Sequence, residues 1–456
     1  MTERAPLYHA VQRHLDKERV SLHTPGHKGR ADILAGLSLA CDLTELPDTD
    51  ALYEAEGAIA EAEALAAELY GAARTVFSAG GCSLAIQAML RCCCAEGERI
   101  IMDRGCHRTA VNASALLGLE PIWLMSTEEQ GSDGLCPLPS AADAERLLAE
   151  NPDAKAVYIT SPDYMGRMWD IPSLAALCRE RDIPLLVDNA HGSHLIAFEG
   201  MHPLAQGATM SACSAHKTLP VLTGGAYLSC ADRRYADGMK GAMALFGSTS
   251  PSYLIMSSLD LCRAWLQEEG IERLRHTAEL CQKIRRTALE AGFGLPAGQC
   301  DPMRITLLAE SAGISGTAAA KALRAMGFEP EYADDACVVL LPTPFVTDGE
   351  MERLNDAVAA LPDVTKRGEQ TRGMPPIGEI IACARRTERE MSVRAAALAK
   401  REPVPCAGAA GRIAASGVCP CPPGVPIVMP GEIISEECAR LLCAMGVERA
   451  ECVIEE

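Results

Sequence analysis

The run Ser214-Ala215-His216-Lys217-Thr218 sits between an apolar stretch, Ala208 to Cys213, and the glycine pair Gly224-Gly225. If flanking strands bury Lys217, its ammonium needs a partner or must give up its proton, and such lysines form imines with carbonyl cofactors. The plainer reading is a lysine on a surface loop. Asp188 closes another apolar run and precedes Lys217 by 29 positions (217 − 188), so both fit the carboxyl ends of strands, where α/β sheets place their ligands. That pair suits pyridoxal phosphate (PLP), whose aldehyde takes an amine and whose pyridine nitrogen needs a carboxylate to stay protonated; a turn or cap after a strand is the alternative for Asp188. Gly80-Gly81-Cys82-Ser83 lies between a strand and a helix, so its N–H groups and the Ser83 hydroxyl could hold a phosphate, or the glycines could serve the turn alone. His107 could lay its imidazole on a flat ring, or be an ordinary histidine.

These residues need strand ends and helix starts to hold them, and the sequence supplies both. From about residue 57 it alternates helix and strand, the pattern of an α/β fold around a mainly parallel sheet. Ala58 to Tyr70 reads as a helix closed by Gly71, Thr75 to Ser78 as a strand, and Ser83 to Cys94 as an apolar helix. Ile100 to Asp103, Ala156 to Ile159 and Pro184 to Asp188 read as buried strands, two of them ending on Asp. A long helical stretch follows Pro251, and the Gly/Pro-rich passage Gly292 to Pro302 marks the exit from a large domain. Strands at Arg304 to Leu308 and Cys337 to Leu341 flank a helix at Gly316 to Met326 in a smaller α/β domain, and a last helix spans Ser435 to Met445. The expected division is 1–45, an N-terminal segment; 46–295, the large domain; 296–363, the small one; and 364–456, a linker and C-terminal segment.

With 456 residues the chain exceeds one compact core. Its 42 basic and 61 acidic residues leave a net charge of −19, which argues against a nucleic-acid partner. No signal peptide or membrane span is expected, and the 21 cysteines fit reduced thiols in the cytoplasm. Cys419 and Cys421 form a CxC pair without a second ligand pair at zinc spacing, so no metal site is expected.

Seven blocks together carry a resemblance: His23-Thr24-Pro25-Gly26-His27-Lys28, Asp42-Leu43-Thr44-Glu45, Asp103-Arg104-Gly105-Cys106-His107-Arg108, Asp188-Asn189-Ala190-His191-Gly192, Ser214-Ala215-His216-Lys217, Thr249-Ser250-Pro251-Ser252-Tyr253, and Pro422-Pro423-Gly424-Val425-Pro426 through Pro430-Gly431-Glu432. In this order they resemble the bacterial ornithine/lysine/arginine decarboxylase family nearly end to end, in its compact form without an N-terminal wing domain. The resemblance implies the aspartate-aminotransferase-like fold of PLP fold-type I enzymes, assembled as a homodimer or higher oligomer. It implies that Lys217 is the Schiff-base lysine, Asp188 the partner of the pyridine nitrogen and His107 the stacking residue. Gly81, Cys82 and Ser83 would cup the phosphate, Ser214 and His216 would contact it or orient the lysine's linkage, and Ala190 and His191 would lie on the ring's other face. Thr249 and Ser250 would reach the neighbouring subunit's phosphate. Cys82, Asn189, Tyr53 and Cys421 depart from the residues usual in the family.

The expected reaction is decarboxylation of a basic amino acid to its amine. An acidic residue should meet the substrate's distal cation, with Glu432 one candidate and an idle turn carboxylate the other reading of it. Transamination or aldol-type cleavage on the same fold stays open, since Arg304 could clamp a substrate carboxylate or merely begin a strand. A non-catalytic homologue is the remaining rival.

Overall fold

The computed structural model describes residues 6–128, 131, 133–365, 375–419 and 426–454. In chain order its strands are β1 (Val20–Leu22), β2 (Arg74–Ser78), β3 (Arg99–Asp103), β4 (Glu120–Leu124), β5 (Val157–Thr160), β6 (Leu185–Asp188), β7 (Met210–Cys213) and β8 (Ala226–Cys230). They continue with β9 (Ile305–Leu308), β10 (Phe328–Pro330), β11 (Tyr332–Ala333), β12 (Cys337–Leu340), β13 (Arg401–Pro405) and β14 (Arg449–Val453). Seven of them form the central sheet in the order β2-β8-β7-β6-β5-β3-β4. Only β8 opposes its neighbours, pairing antiparallel with β7 and β2, while β3, β4, β5, β6 and β7 pair in parallel.

The strands read as unbroken apolar runs because both faces of the sheet are covered. Along β5, Val157 and Ile159 enter one core and Tyr158 the other; along β6, Val187 and Leu186 divide in the same way. Helices Ala58–Tyr70, Ala141–Glu150, Ile171–Glu180 and Tyr253–Trp265 close the first face, and Gly81–Cys93 and Arg108–Leu117 the second. Two strands of the central sheet were not expected from the sequence. In β4, Pro121 counts against a central strand, but β4 is the sheet edge, where a missing N–H costs nothing. In β8, the short run Ala226–Cys230 includes Ser229, which is paid no penalty because it meets the Thr75 hydroxyl at 2.8 Å.

A smaller antiparallel sheet, β11-β12-β9, packs beneath helices Gly316–Ala325 and Asp348–Val364. Its core also takes in Cys281, Ile284 and Ala288 of the long helix Ile271–Glu290, and Val20 and Leu22 of β1, which pairs in parallel with β10. The C-terminal segment builds its own core from helices Ile377–Arg386 and Glu436–Ala444 and the antiparallel pair β13–β14. Most of the expected linker (366–374) and part of the Pro-rich run (420–425, with Cys421) lie outside the described residues. Among the described residues, no helix is long and apolar enough to cross a membrane.

Candidate active site

Because β8 alone is reversed, the carboxyl ends of β2, β3, β5, β6 and β7 and the amino end of β8 share one edge of the sheet. That edge collects Gly80–Ser83, Asp103–His107, Asp188–His191, Ser214–Lys217 and Gly224–Gly225 from five stretches of sequence.

Lys217 sits in the short helix Ala215–Thr218, with its Nζ 2.9 Å from Nε2 of His191. Burial lowers its pKa from 10.5, against the pull of Asp188. Asp188 is 1% exposed and accepts hydrogen bonds from the Ala190 N–H at 3.0 Å and the Tyr158 hydroxyl at 3.2 Å. Burial raises its pKa, and Lys217 is the strongest influence in the other direction. Each is therefore the other's leading charge partner, and the expected pair is brought together. Tyr158 was missed by the sequence reading, although a tyrosine inside a buried strand must find a partner for its hydroxyl.

His107 caps the helix Arg108–Leu117, its Nδ1 2.9 Å from the Thr109 hydroxyl. His107 is exposed at this edge; partial desolvation lowers its pKa, the Asp188 charge raises it and that of Lys217 lowers it. The Thr109 hydroxyl in turn lies 3.2 Å from Ser83 Oγ. Gly81 opens helix Gly81–Cys93 at a φ of +73°, a conformation that suits glycine, and gives its N–H to the Gly224 carbonyl at 2.7 Å. Its N-cap residue, Gly80, has no side chain to cap it, and among the described residues a Cβ on Gly81 would meet only the Gly224 oxygen, at 3.9 Å. An uncapped helix start with open space before it can receive phosphate oxygens. Cys82 is buried beside the same groups, and burial followed by the Asp188 charge pushes its thiol well above the ordinary range. Ser214 and His216 brace the lysine loop: Ser214 Oγ lies 3.3 Å from His216 Nδ1, which lies 3.2 Å from the Gly225 carbonyl.

Beside His107 and His191 opens a cavity of about 700 Å³, whose wall includes Asp103, Thr160, Tyr164 and Arg167. A buried carboxylate and a half-buried amine at one sheet edge, with the helix start at Gly81 beside them, fit PLP. Bound there, PLP would supply the electron sink, with Lys217 on its aldehyde, Asp188 on its pyridine nitrogen and Gly81–Ser83 on its phosphate.

The family model for the Orn/Lys/Arg decarboxylase major domain matches residues 5–293, and that for the family's C-terminal domain matches residues 384–446. The chain belongs to the Orn/Lys/Arg decarboxylase family. It is 32% identical over 460 residues to the arginine decarboxylase of Bacillus subtilis (strain 168), covering 95% of this chain and 91% of that protein. The arginine decarboxylase of Halalkalibacterium halodurans is 31% identical over 459 residues, with 95% and 92% covered. Lysine decarboxylase A from Pseudomonas aeruginosa shares the fold at a TM-score of 0.76 and 18% identity, over 98% of this chain and 82% of that one. The fold is the PLP fold-type I architecture, and PLP is the cofactor of the Orn/Lys/Arg decarboxylase family.

One expectation, that Glu432 could meet the substrate's distal cation, meets a different geometry. Glu432 is not a carboxylate open to a substrate cation. It is 2% exposed, and its two oxygens receive Nη1 and Nη2 of Arg104 at 2.7 Å each, with the Met429 N–H on one of them at 2.8 Å. The turn at Gly431, φ +87°, folds Glu432 inward, where Arg104 also donates to the carbonyls of Pro426 and Ile427. Thr249 and Ser250 are exposed, and Ser250 borders a cavity with Asp42, Leu43 and Thr44. Of the departures from the family pattern, Asn189 is buried and donates to the Gly192 carbonyl at 3.1 Å and toward Cys213 Sγ at 3.2 Å, and Tyr53 packs against Gly247. Arg304 does precede β9, yet its fork is committed to His191 and the Tyr164 carbonyl.

Proposed function

We infer that this chain is a PLP-dependent decarboxylase that converts a basic amino acid, arginine first, into its amine and CO₂. The observation that carries the reading is the convergence of Lys217 and Asp188 on one buried edge of the sheet, each the other's main charge partner. Lys217 would hold the cofactor and move a proton at the substrate's Cα, Asp188 would keep its ring nitrogen protonated, and His107, Ala190 and His191 would pack against its ring. Gly81, Cys82 and Ser83 bind phosphate, aided by Ser214 and His216. Arginine is favoured because relatives named for arginine are 31–32% identical over 95% of this chain. The same proposal includes the four-part division given above, a cytoplasmic site of action, and a dimer or larger assembly in which Thr249 and Ser250 serve the neighbouring subunit's phosphate.

Incubating the protein and PLP with arginine, lysine and ornithine in turn should yield CO₂ and agmatine from arginine, in excess of cadaverine or putrescine. A keto acid without CO₂ would sink the reading. Lys217→Ala should lose the visible absorbance of the bound cofactor and about 10³-fold or more of the rate.

A further inference from the structure

Arg304 stands one residue before β9 in the smaller unit, and its guanidinium crosses to the loop after β6. Its backbone N–H is tied to Asp301 Oδ1 at 3.2 Å, and the same oxygen holds the Met303 N–H and His194 Nε2. One terminal nitrogen meets His191 Nδ1 at 2.7 Å, and the other donates to the Tyr164 carbonyl at 2.7 Å. The Tyr164 ring meets the His191 ring edge-on at 5.3 Å. Across the imidazole, His191 Nε2 lies 2.9 Å from Lys217 Nζ.

Donor and acceptor counting leaves a single assignment for this row. A guanidinium has only donors, so His191 Nδ1 must present its lone pair. A neutral imidazole carries one proton, which must then sit on Nε2 and point at Lys217. An ammonium has no lone pair to accept it, whereas a free amine does. We propose that Arg304 is a positioning residue that fixes the tautomer of His191 and, through it, holds Lys217 as an uncharged amine, its nucleophilic form. The use of that amine rests on the decarboxylase reading; its protonation state does not.

The surrounding charges divide. Facing Lys217, Asp188 and Glu331 favour its ammonium while burial and Arg304 oppose it, and the Cys82 thiol, held protonated by its own burial, adds no charge. Facing His191, burial acts with Lys217, Arg304, His107 and His194 against an imidazolium. The row from Arg304 thus acts with burial against the Asp188 carboxylate.

The test uses the full chain freed of PLP. Competitive labelling of its amines with acetic anhydride, read by peptide mass spectrometry over a pH series, gives the titration midpoint of each lysine. Lys217 should titrate below exposed Lys155 and Lys321, and Arg304→Met should raise its midpoint by about one pH unit or more. Arg304→Lys should restore most of the shift. With His191→Phe in the background, Arg304→Met should lose most of its effect; an equal shift in both backgrounds would mean that Arg304 acts by charge or packing alone and would overturn the proposal. If the variants fail to fold, ¹⁵N spectra of histidine-labelled native chain decide: a proton on His191 Nε2 supports the proposal, and one on Nδ1 overturns it. None of these readings needs turnover, so they fail separately from the amine-product experiment.

Discussion

Asp103 ends β3 with its carboxyl turned back onto the Gly105 N–H at 2.9 Å. Burial, ahead of the nearby Asp163 charge, pushes its pKa from 3.8 up to about 7. Between those values the folded chain holds a proton that the unfolded chain has released. Its contribution to stability is therefore complete below pH 3.8 and is lost as pH rises through about 7. Asp103→Asn keeps an acceptor for Gly105 without the charge, so the fall in urea midpoint over that range should flatten; an unchanged slope would assign the fall to other groups. At this scale the sequence was most informative where a residue's partner stands at a neighbouring strand end, as with Lys217 and Asp188. It was least informative for Glu432, whose partner Arg104 lies 328 positions away. Arg304 looked like either a clamp or the start of a strand, because nothing local announces that its guanidinium will land on His191.

At the scale of elements, the Arg104–Glu432 fork is the tie between the turn after β3 and the C-terminal segment. Both side chains are about 3% exposed. Glu432→Ala leaves the guanidinium buried without its counter-charge, which should cost about 3–5 kcal/mol in urea unfolding. A loss below about 1 kcal/mol would mean that water takes over the carboxylate's role. Strands β5, β6 and β7 were legible because sheet centres demand apolar runs on both faces. Strand β4 was not, because its Pro121 is tolerated only at an edge and nothing local says where an edge will be. The pairing of β1 with β10 was likewise invisible, since three residues carry no periodicity.

For the molecule as a whole, the alternation of helix and strand was enough to give an α/β class with a large and a small unit. It could not say that β1 and the helix Ile271–Glu290 share the core of the small unit, because that depends on contacts closed only in three dimensions. PLP should bind across parts contributed by many stretches of chain and so stabilise the folded state throughout. At a hundredfold excess over its Kd, the gain should be about 2.7 kcal/mol, read as a rise in the thermal midpoint of the freed protein. Pyridoxal without its phosphate should give a smaller rise at equal concentration, since the helix start at Gly81 stays unfilled; equal rises would remove that helix from the binding site.

The pairing of Val20 with Phe328 spans 328 − 20 = 308 residues. A ribosome adding roughly 5–20 residues per second would expose β1 on the order of 15–60 s before β10 leaves the exit tunnel. Throughout that interval the first strand has no template to dock on. The large sheet, whose last strand β8 ends at Cys230, is free to close first, and Val20–Leu22 are then among the last to find their place.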